Sequence, residues 1–338
     1  MEREEILEAI RAKHSLPALA ALALVEGKPQ GVVVVGKRKS GGTEPALPTD
    51  AFHLGSDTKA MTAALIGTLV DQGKLTWKTT LGEVIVETPS AWKSTTIASL
   101  LTHRAGLTRL EPRGKNLLYL HRFTGPLEKQ RIRWLKERLA EPPDQTRGKF
   151  AYSNAGYTLL GMVVERVCQM PWERCIADAL WKPLGITGGG FGPPPGVWQH
   201  VREGKKLVAL DPREKADNPP LMGPAGAVYL PLGEWGKFVA VFADPERQRL
   251  LKPETLTWLT TPPAGGDYNG GWIITPRPWA DGQALTHAGS NTFNFCVAWV
   301  APKKRFAALV ATNTDSDDAR KTCDAVVDAL IREHLKPG

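Results

Sequence analysis

The sequence predicts an α+β fold: one antiparallel sheet built from both ends of the chain, covered by terminal helices, with a mostly helical domain inserted between its halves. Three observations predict it. Short apolar runs rich in β-branched residues sit near both termini, whereas the middle alternates helix-like stretches with Pro- and Gly-rich loops. Both ends of the chain also read as helices that can cover such a sheet. Finally, at 338 residues the chain exceeds the roughly 100–200 residues of an ordinary domain. The expected division is 1–75 with 246–338 for the sheet, and 76–245 for the helical insertion.

The elements follow in order. Residues 2–13 place Ile6, Leu7 and Ile10 on one side of a helix. Leu19–Val25 and Gly31–Val35, split by Gly27-Lys28-Pro29-Gln30, read as a hairpin of buried strands. Ser56–Gln72 carries Met61, Leu65 and Leu69 at helical spacing and stops at Gly73. Ala155–Val167 is a second apolar helix, and the clusters at 188–196 and 217–226 read as loops. Trp272–Thr275, Ala284–His287, Phe293–Val300 and Phe306–Thr312 are strand-like, and Asp315–Leu335 reads as a closing helix.

Composition narrows the function. Hydrophobic content of 42% and charged content of 23% are those of a globular protein. The net charge is +8, with a dense basic stretch from Arg122 to Arg138. Only Phe123 and Trp134 interleave with it, so no nucleic-acid partner is expected, and the stretch reads as a solvated amphipathic helix. No run reaches the roughly 18 apolar residues of a membrane span. Leu16–Val25 is interrupted by Pro17 and preceded by mixed charge, so it is not expected to be a signal peptide. That leaves a cytosolic protein or a mature chain with a new Met1. Cys168 and Cys175 would stand two turns apart on a continuous helix, too far for a bridge, while a Cys296–Cys323 bridge stays open.

Three motifs carry chemistry. Ser-x-x-Lys occurs twice, at Ser56–Lys59 and Ser90–Lys93, so the pattern alone decides nothing. Ser56 opens a long apolar helix, where one turn puts Lys59 on the same face and the positive helix end favours an oxyanion. The other reading of Ser56 is a helix-capping serine. Ser90 follows Pro89 in a polar stretch and reads as a turn or cap residue. A lysine base needs a pKa well below its usual 10.4 or so, which burial in a cleft supplies. Tyr152-Ser153-Asn154 precedes the second apolar helix. Tyr152 beside a lysine can move protons, and Asn154 can bond a substrate amide or Lys59; an ordinary turn into a helix is the other reading. In His287-Ala288-Gly289, a small residue and a glycine on an edge strand let substrate backbone approach. The N–H of Ser290 can then complete an oxyanion hole with that of Ser56. His287 alone reads equally as a structural histidine.

As a set, the motifs resemble those of the penicillin-recognising serine hydrolases: class C β-lactamases, the DD-peptidases of that group and the related esterases. The phrases Phe52-His53-Leu54-Gly55-Ser56, Leu100-Leu101-Thr102-His103-Arg104-Ala105-Gly106-Leu107 and Tyr152-Ser153-Asn154-Ala155-Gly156-Tyr157 extend the resemblance along nearly the whole chain. It implies a five-stranded antiparallel sheet flanked by helices, plus a helical domain, with the site between them. Ser56 would attack, Lys59 and Tyr152 would move protons, Asn154 would orient the substrate, and His287 and Gly289 would line the substrate strand. The expected substrates are esters, D-amino-acid amides or β-lactams, small or peptidoglycan-like, with no cofactor and no metal. A class C β-lactamase proper, a penicillin-binding sensor that never turns over, and an acyl transferase are the alternatives. The resemblance implies a periplasmic or secreted protein. His287 is a departure, because the β-lactamases of this group usually carry lysine there to hold a substrate carboxylate. A neutral histidine shifts weight toward peptidase or esterase.

Three other signatures fail. Gly31–Lys37 has P-loop spacing, but Arg38 stands where Ser or Thr is needed. Neither a Gly-x-Ser-x-Gly elbow nor His-Glu-x-x-His occurs. His103 is expected to hydrogen-bond a loop rather than act as a base.

Overall fold

In the computed structural model the described residues are 2–107, 122–144, 146–204, 206–214 and 216–335; His121 lies outside them. Five long strands form the sheet: β1 (Ala18–Val25), β2 (Trp272–Arg277), β3 (Gly282–Ser290), β4 (Phe295–Ala301) and β5 (Phe306–Thr312). β1 is apolar throughout because both of its faces are covered. Ala18, Ala20, Leu22 and Leu24 point into one core, and Leu19, Ala21 and Ala23 point into the other. β5 alternates in the same way, with Ala307, Leu309 and Ala311 opposite Phe306, Ala308 and Val310.

The sheet order is β1-β5-β4-β3-β2, all antiparallel. Lys28–Pro29 and Val33–Gly36 pair with β1, and Tyr268–Asn269 extends β2, making eight strands. The α+β class therefore holds; Val33–Gly36 is the second strand of the hairpin expected at Gly31–Val35, and the other two added strands, of two residues each, are too short to show a period.

Five helices position the site: α1 (Glu2–Lys13), α2 (Thr58–Asp71), α3 (Asn154–Cys168), α4 (Leu232–Ala243) and α5 (Asp317–His334). α1 and α5 cover one sheet face through Leu7, Ala319, Cys323, Val326 and Val327. α4 lies on the other face, where Gly236 sits so close to Leu22 that a Cβ would come within 2.8 Å of it. α2 is buried on almost every side, from Thr58 to Leu69, as a helix apolar all round must be. It ends at Gly73, whose φ of +71° is the expected glycine stop.

The chain departs from the sequence reading in four places. Ala51–His53, Val228–Pro231 and Gly190–Phe191 form a small sheet, and Gln199–Glu203 with Lys206–Leu210 forms a hairpin. Within the expected loop 217–226, Pro220–Met222 and Gly223–Gly226 are helical turns. The basic helix, Leu127–Arg138, is not merely a solvated face. Arg131 is fully buried, paired with Glu165 and Glu173, and donates to the Leu221 carbonyl.

All four cysteines are free. Cys296 and Cys323 belong to the cores on opposite sides of the sheet. The helix carrying Cys168 ends there, with Gln169 left-handed at φ +55°. The chain folds back, and the neighbouring Cys175 thiol lowers the pKa of the Cys168 thiol to about 7. The separation expected from a continuous helix does not apply.

Candidate active site

Ser56 lies in a tight helical turn, Gly55–Asp57, that runs straight into α2. The N-terminal residue of α2 has no side-chain cap. The Ser56 hydroxyl is instead 3.0 Å from Lys59 Nζ. Lys59 has no exposed surface, and its Nζ also donates to Asn154 Oδ1 and to the Ala225 carbonyl, each at 2.7 Å. Burial is the main cause that lowers its pKa to about 7, against a smaller upward pull from Asp57. The geometry fixes where the proton goes. Two carbonyl oxygens hold two N–H groups, so the remaining position on Nζ faces Ser56 Oγ. In the neutral amine that position is a lone pair.

The start of α3 supplies the second wall. Ser153 is the cap, its hydroxyl accepting the Gly156 N–H at 3.4 Å, which leaves Asn154 free to reach Lys59. The Tyr152 ring lies beside the ammonium, with Nζ 4.9 Å from the ring centroid. His103, at φ +55°, accepts the Ser153 N–H on Nδ1 at 3.1 Å and takes the Ala151 N–H on its carbonyl. It thus holds the loop that carries Tyr152, in its neutral state, since burial pushes its pKa well down.

β3 supplies the third wall. Its register with β2 ends at Ile273↔Thr286, so His287–Ser290 run on paired with β4. His287 is only 5% exposed. Its Nε2 is 3.4 Å from the Tyr268 hydroxyl, and burial, with Lys59 nearby, drives its pKa to about 3. The ring is therefore a neutral wall of the site. Gly289 turns away from the open side, and Ala288 is the exposed residue of the motif. A Cβ on Gly289 would fall 1.9 Å from the Leu54 carbonyl oxygen and 2.8 Å from Asp57 Oδ2. Its requirement is thus close packing of β3 on the Ser56 turn, not room for substrate as the sequence suggested. Gly289→Ala is expected to destabilise the protein by about 1–3 kcal/mol through overpacking, read as a lower thermal midpoint; an unchanged midpoint would refute the packing role. The Ser290 backbone N lies 2.4 Å from where a Cβ on Gly55 would sit, so the end of β3 and the Ser56 turn are in contact. The Ser290 hydroxyl donates to Asp315 at 2.6 Å.

The structure brings Ser56, Lys59, Asn154, Tyr152 and His287 together. Ser90 and Lys93 are both exposed, on a surface turn. Two participants were missed from sequence. The Ala225 carbonyl is a main-chain acceptor and leaves no side-chain signal. Asp57 is 2% exposed, with Oδ2 accepting from the Cys296 thiol at 3.1 Å and its pKa raised well above the usual range by burial. A carboxylate at the head of an otherwise apolar helix was the signal available. Among the described residues no His, Cys, Asp and Glu group has the arrangement of a metal site, and no helix is long and apolar enough to cross a membrane.

Comparison with known proteins identifies the family. Penicillin-binding protein 4 of Amycolatopsis lactamdurans is 26% identical over 92% of this chain and 84% of its own length. The D-alanyl-D-alanine-carboxypeptidase/endopeptidase AmpH of Escherichia coli (strain K12) is 22% identical over 92% of this chain and 83% of its own. A penicillin-binding protein from Bacillus halodurans superposes with a TM-score of 0.77 at 21% identity, over 96% of this chain and 99% of that one. The family model described as Beta-lactamase matches residues 3–332, and the chain belongs to the β-lactamase family.

Proposed function

We propose that the protein is a serine hydrolase that works through an acyl-enzyme on Ser56 and acts on D-amino-acid amides or esters in preference to β-lactams. The observation that carries this reading is the Lys59 ammonium site, in which two carbonyls fix two protons and leave the third position 3.0 Å from Ser56 Oγ. Neutral Lys59 takes the Ser56 proton as Oγ attacks the substrate carbonyl. The resulting oxyanion sits on the N–H groups of Ser56 and Ser290. Lys59 and Tyr152 then return the proton to the leaving amine or alcohol, and the acyl group stays on Ser56. Water repeats the sequence, giving its proton to the same pair and releasing the acid.

The substrate preference rests on His287. Its ring is buried and neutral, so it offers no cation to the carboxylate of a penicillin or cephalosporin. One relative, a D-alanyl-D-alanine-carboxypeptidase/endopeptidase, fits a D-amide or peptide acyl donor. Side-by-side turnover of a chromogenic cephalosporin, a D-amino-acid p-nitroanilide and a short-chain p-nitrophenyl ester tests it, with Ser56→Ala as the blank. The ester or anilide is expected to turn over at least tenfold faster than the cephalosporin. Faster cephalosporin loss would make the protein a β-lactamase and remove the argument from His287.

A further inference from the structure

The two backbone walls of the oxyanion hole, the Ser56 turn and the end of β3, come from distant parts of the chain and share one buried carboxylate. Asp217 is 5% exposed. Its Oδ2 accepts from His53 Nε2 at 3.0 Å, and His53 Nδ1 in turn accepts the Gly55 N–H at 2.9 Å. Its Oδ1 accepts from the Asn291 side chain at 2.7 Å and from the Asn218 N–H at 2.7 Å. Gly55 immediately precedes Ser56, and Asn291 immediately follows Ser290. Each wall is therefore one residue from a group that Asp217 holds.

The tautomer follows from the partners. Nδ1 receives an N–H and carries the lone pair, so Nε2 carries the proton that Asp217 accepts. Gly55 needs this help. At φ +48° it is in the left-handed region, and no side chain fits there because Ser290 N would lie 2.4 Å from a Cβ. Asn218 adds a brace, its side-chain amide donating to the Gly226 carbonyl at 2.9 Å, one residue beyond the Ala225 carbonyl that holds Lys59.

We propose that Asp217, acting through His53 on one side and Asn291 on the other, is a positioning residue that sets the spacing of the two oxyanion-hole N–H groups. The proposal rests on the acyl-enzyme reading above. An oxyanion hole works only if its donors are held where charge develops, and losing one such donor costs on the order of 10²–10³-fold in kcat. Asp217→Asn keeps one of the two acceptor oxygens, so at least one of the three incoming donors loses its partner. It should therefore slow the reaction at Ser56 without changing how substrate binds beforehand.

The test is labelling of Ser56 by a fluorophosphonate, which forms a Ser56 oxygen–phosphorus bond as fluoride leaves, followed by intact-protein mass spectrometry over a concentration series. The inactivation rate constant of Asp217→Asn is expected to fall on the order of 10²-fold, with the half-saturating probe concentration within about twofold of wild type. His53→Gln, which cannot serve both Gly55 and Asp217, should show the same split and is read in place of Asp217→Asn if that variant does not fold. The double variant should lose less than the product of the two single effects, since both act on one clamp. Wild type labelled at Ser56 with folded variants labelled equally fast overturns the clamp and leaves the nucleophile standing. A double variant that loses the product of the two single effects also overturns it. Wild type that is not labelled at Ser56 overturns the acyl-enzyme reading itself, and the clamp falls with it.

Discussion

Ser56→Ala is expected to lower hydrolysis of any accepted substrate on the order of 10⁶-fold in kcat, the scale seen when a serine hydrolase loses its nucleophile. The size follows from the site. Lys59 can activate only the hydroxyl it faces, and that hydroxyl belongs to Ser56 at 3.0 Å. The substitution removes the oxygen and leaves the backbone N–H in place, so folding and substrate binding should persist. Ser90→Ala is the matched control. It removes the serine of the other Ser-x-x-Lys on an exposed surface turn and should leave turnover unchanged. Steady-state turnover and intact mass after a slow-deacylating substrate check both. Residual Ser56→Ala activity above about one part in 10³ would point to another nucleophile, because loss of the nucleophile leaves only the 10³–10⁴-fold advantage over water that binding and the oxyanion hole provide.

What the sequence made legible has a physical basis. The five long strands were readable because both faces of β1 and β5 are buried and nearly every residue in them is apolar. α2 and α3 were readable because an apolar helix beside a polar turn has both a period and a boundary. The small sheet of Ala51–His53 and Val228–Pro231 was not, since three or four residues cannot establish alternation. The same distinction divides the site. Ser56, Lys59, Tyr152 and Asn154 are side chains at fixed spacing, and the structure brings them together. The Ala225 carbonyl is backbone, and Asp217 pairs with a histidine 164 positions away, so no local pattern announces either. Gly289 shows an intermediate case: its position was legible, but whether its bare face meets substrate or the Leu54 carbonyl depends on which way the strand turns.

Lys59 should set the acid limb of the pH–rate profile. Only its neutral form accepts the Ser56 proton, and burial brings its pKa to about 7. Activity should therefore rise with pH through about 7 and level off above it, falling tenfold for each unit below. The sign distinguishes it from a carboxylate base, which would stay active down to about pH 4–5, and from His287, already neutral because its pKa sits near 3. Lys59→Ala should cost on the order of 10²–10⁴-fold in kcat. Lys59→Arg should fare no better, since a guanidinium stays charged and cannot take a proton. Asp57 gives a second handle on the same limb. Its charge opposes the loss of the Lys59 proton, so Asp57→Asn should move the limb to lower pH while leaving the plateau within a few fold. kcat/KM across pH 5–9 for wild type and the three variants checks this. A wild-type profile flat through pH 7, or an Asp57→Asn limb displaced upward, would remove Lys59 from its role as the base.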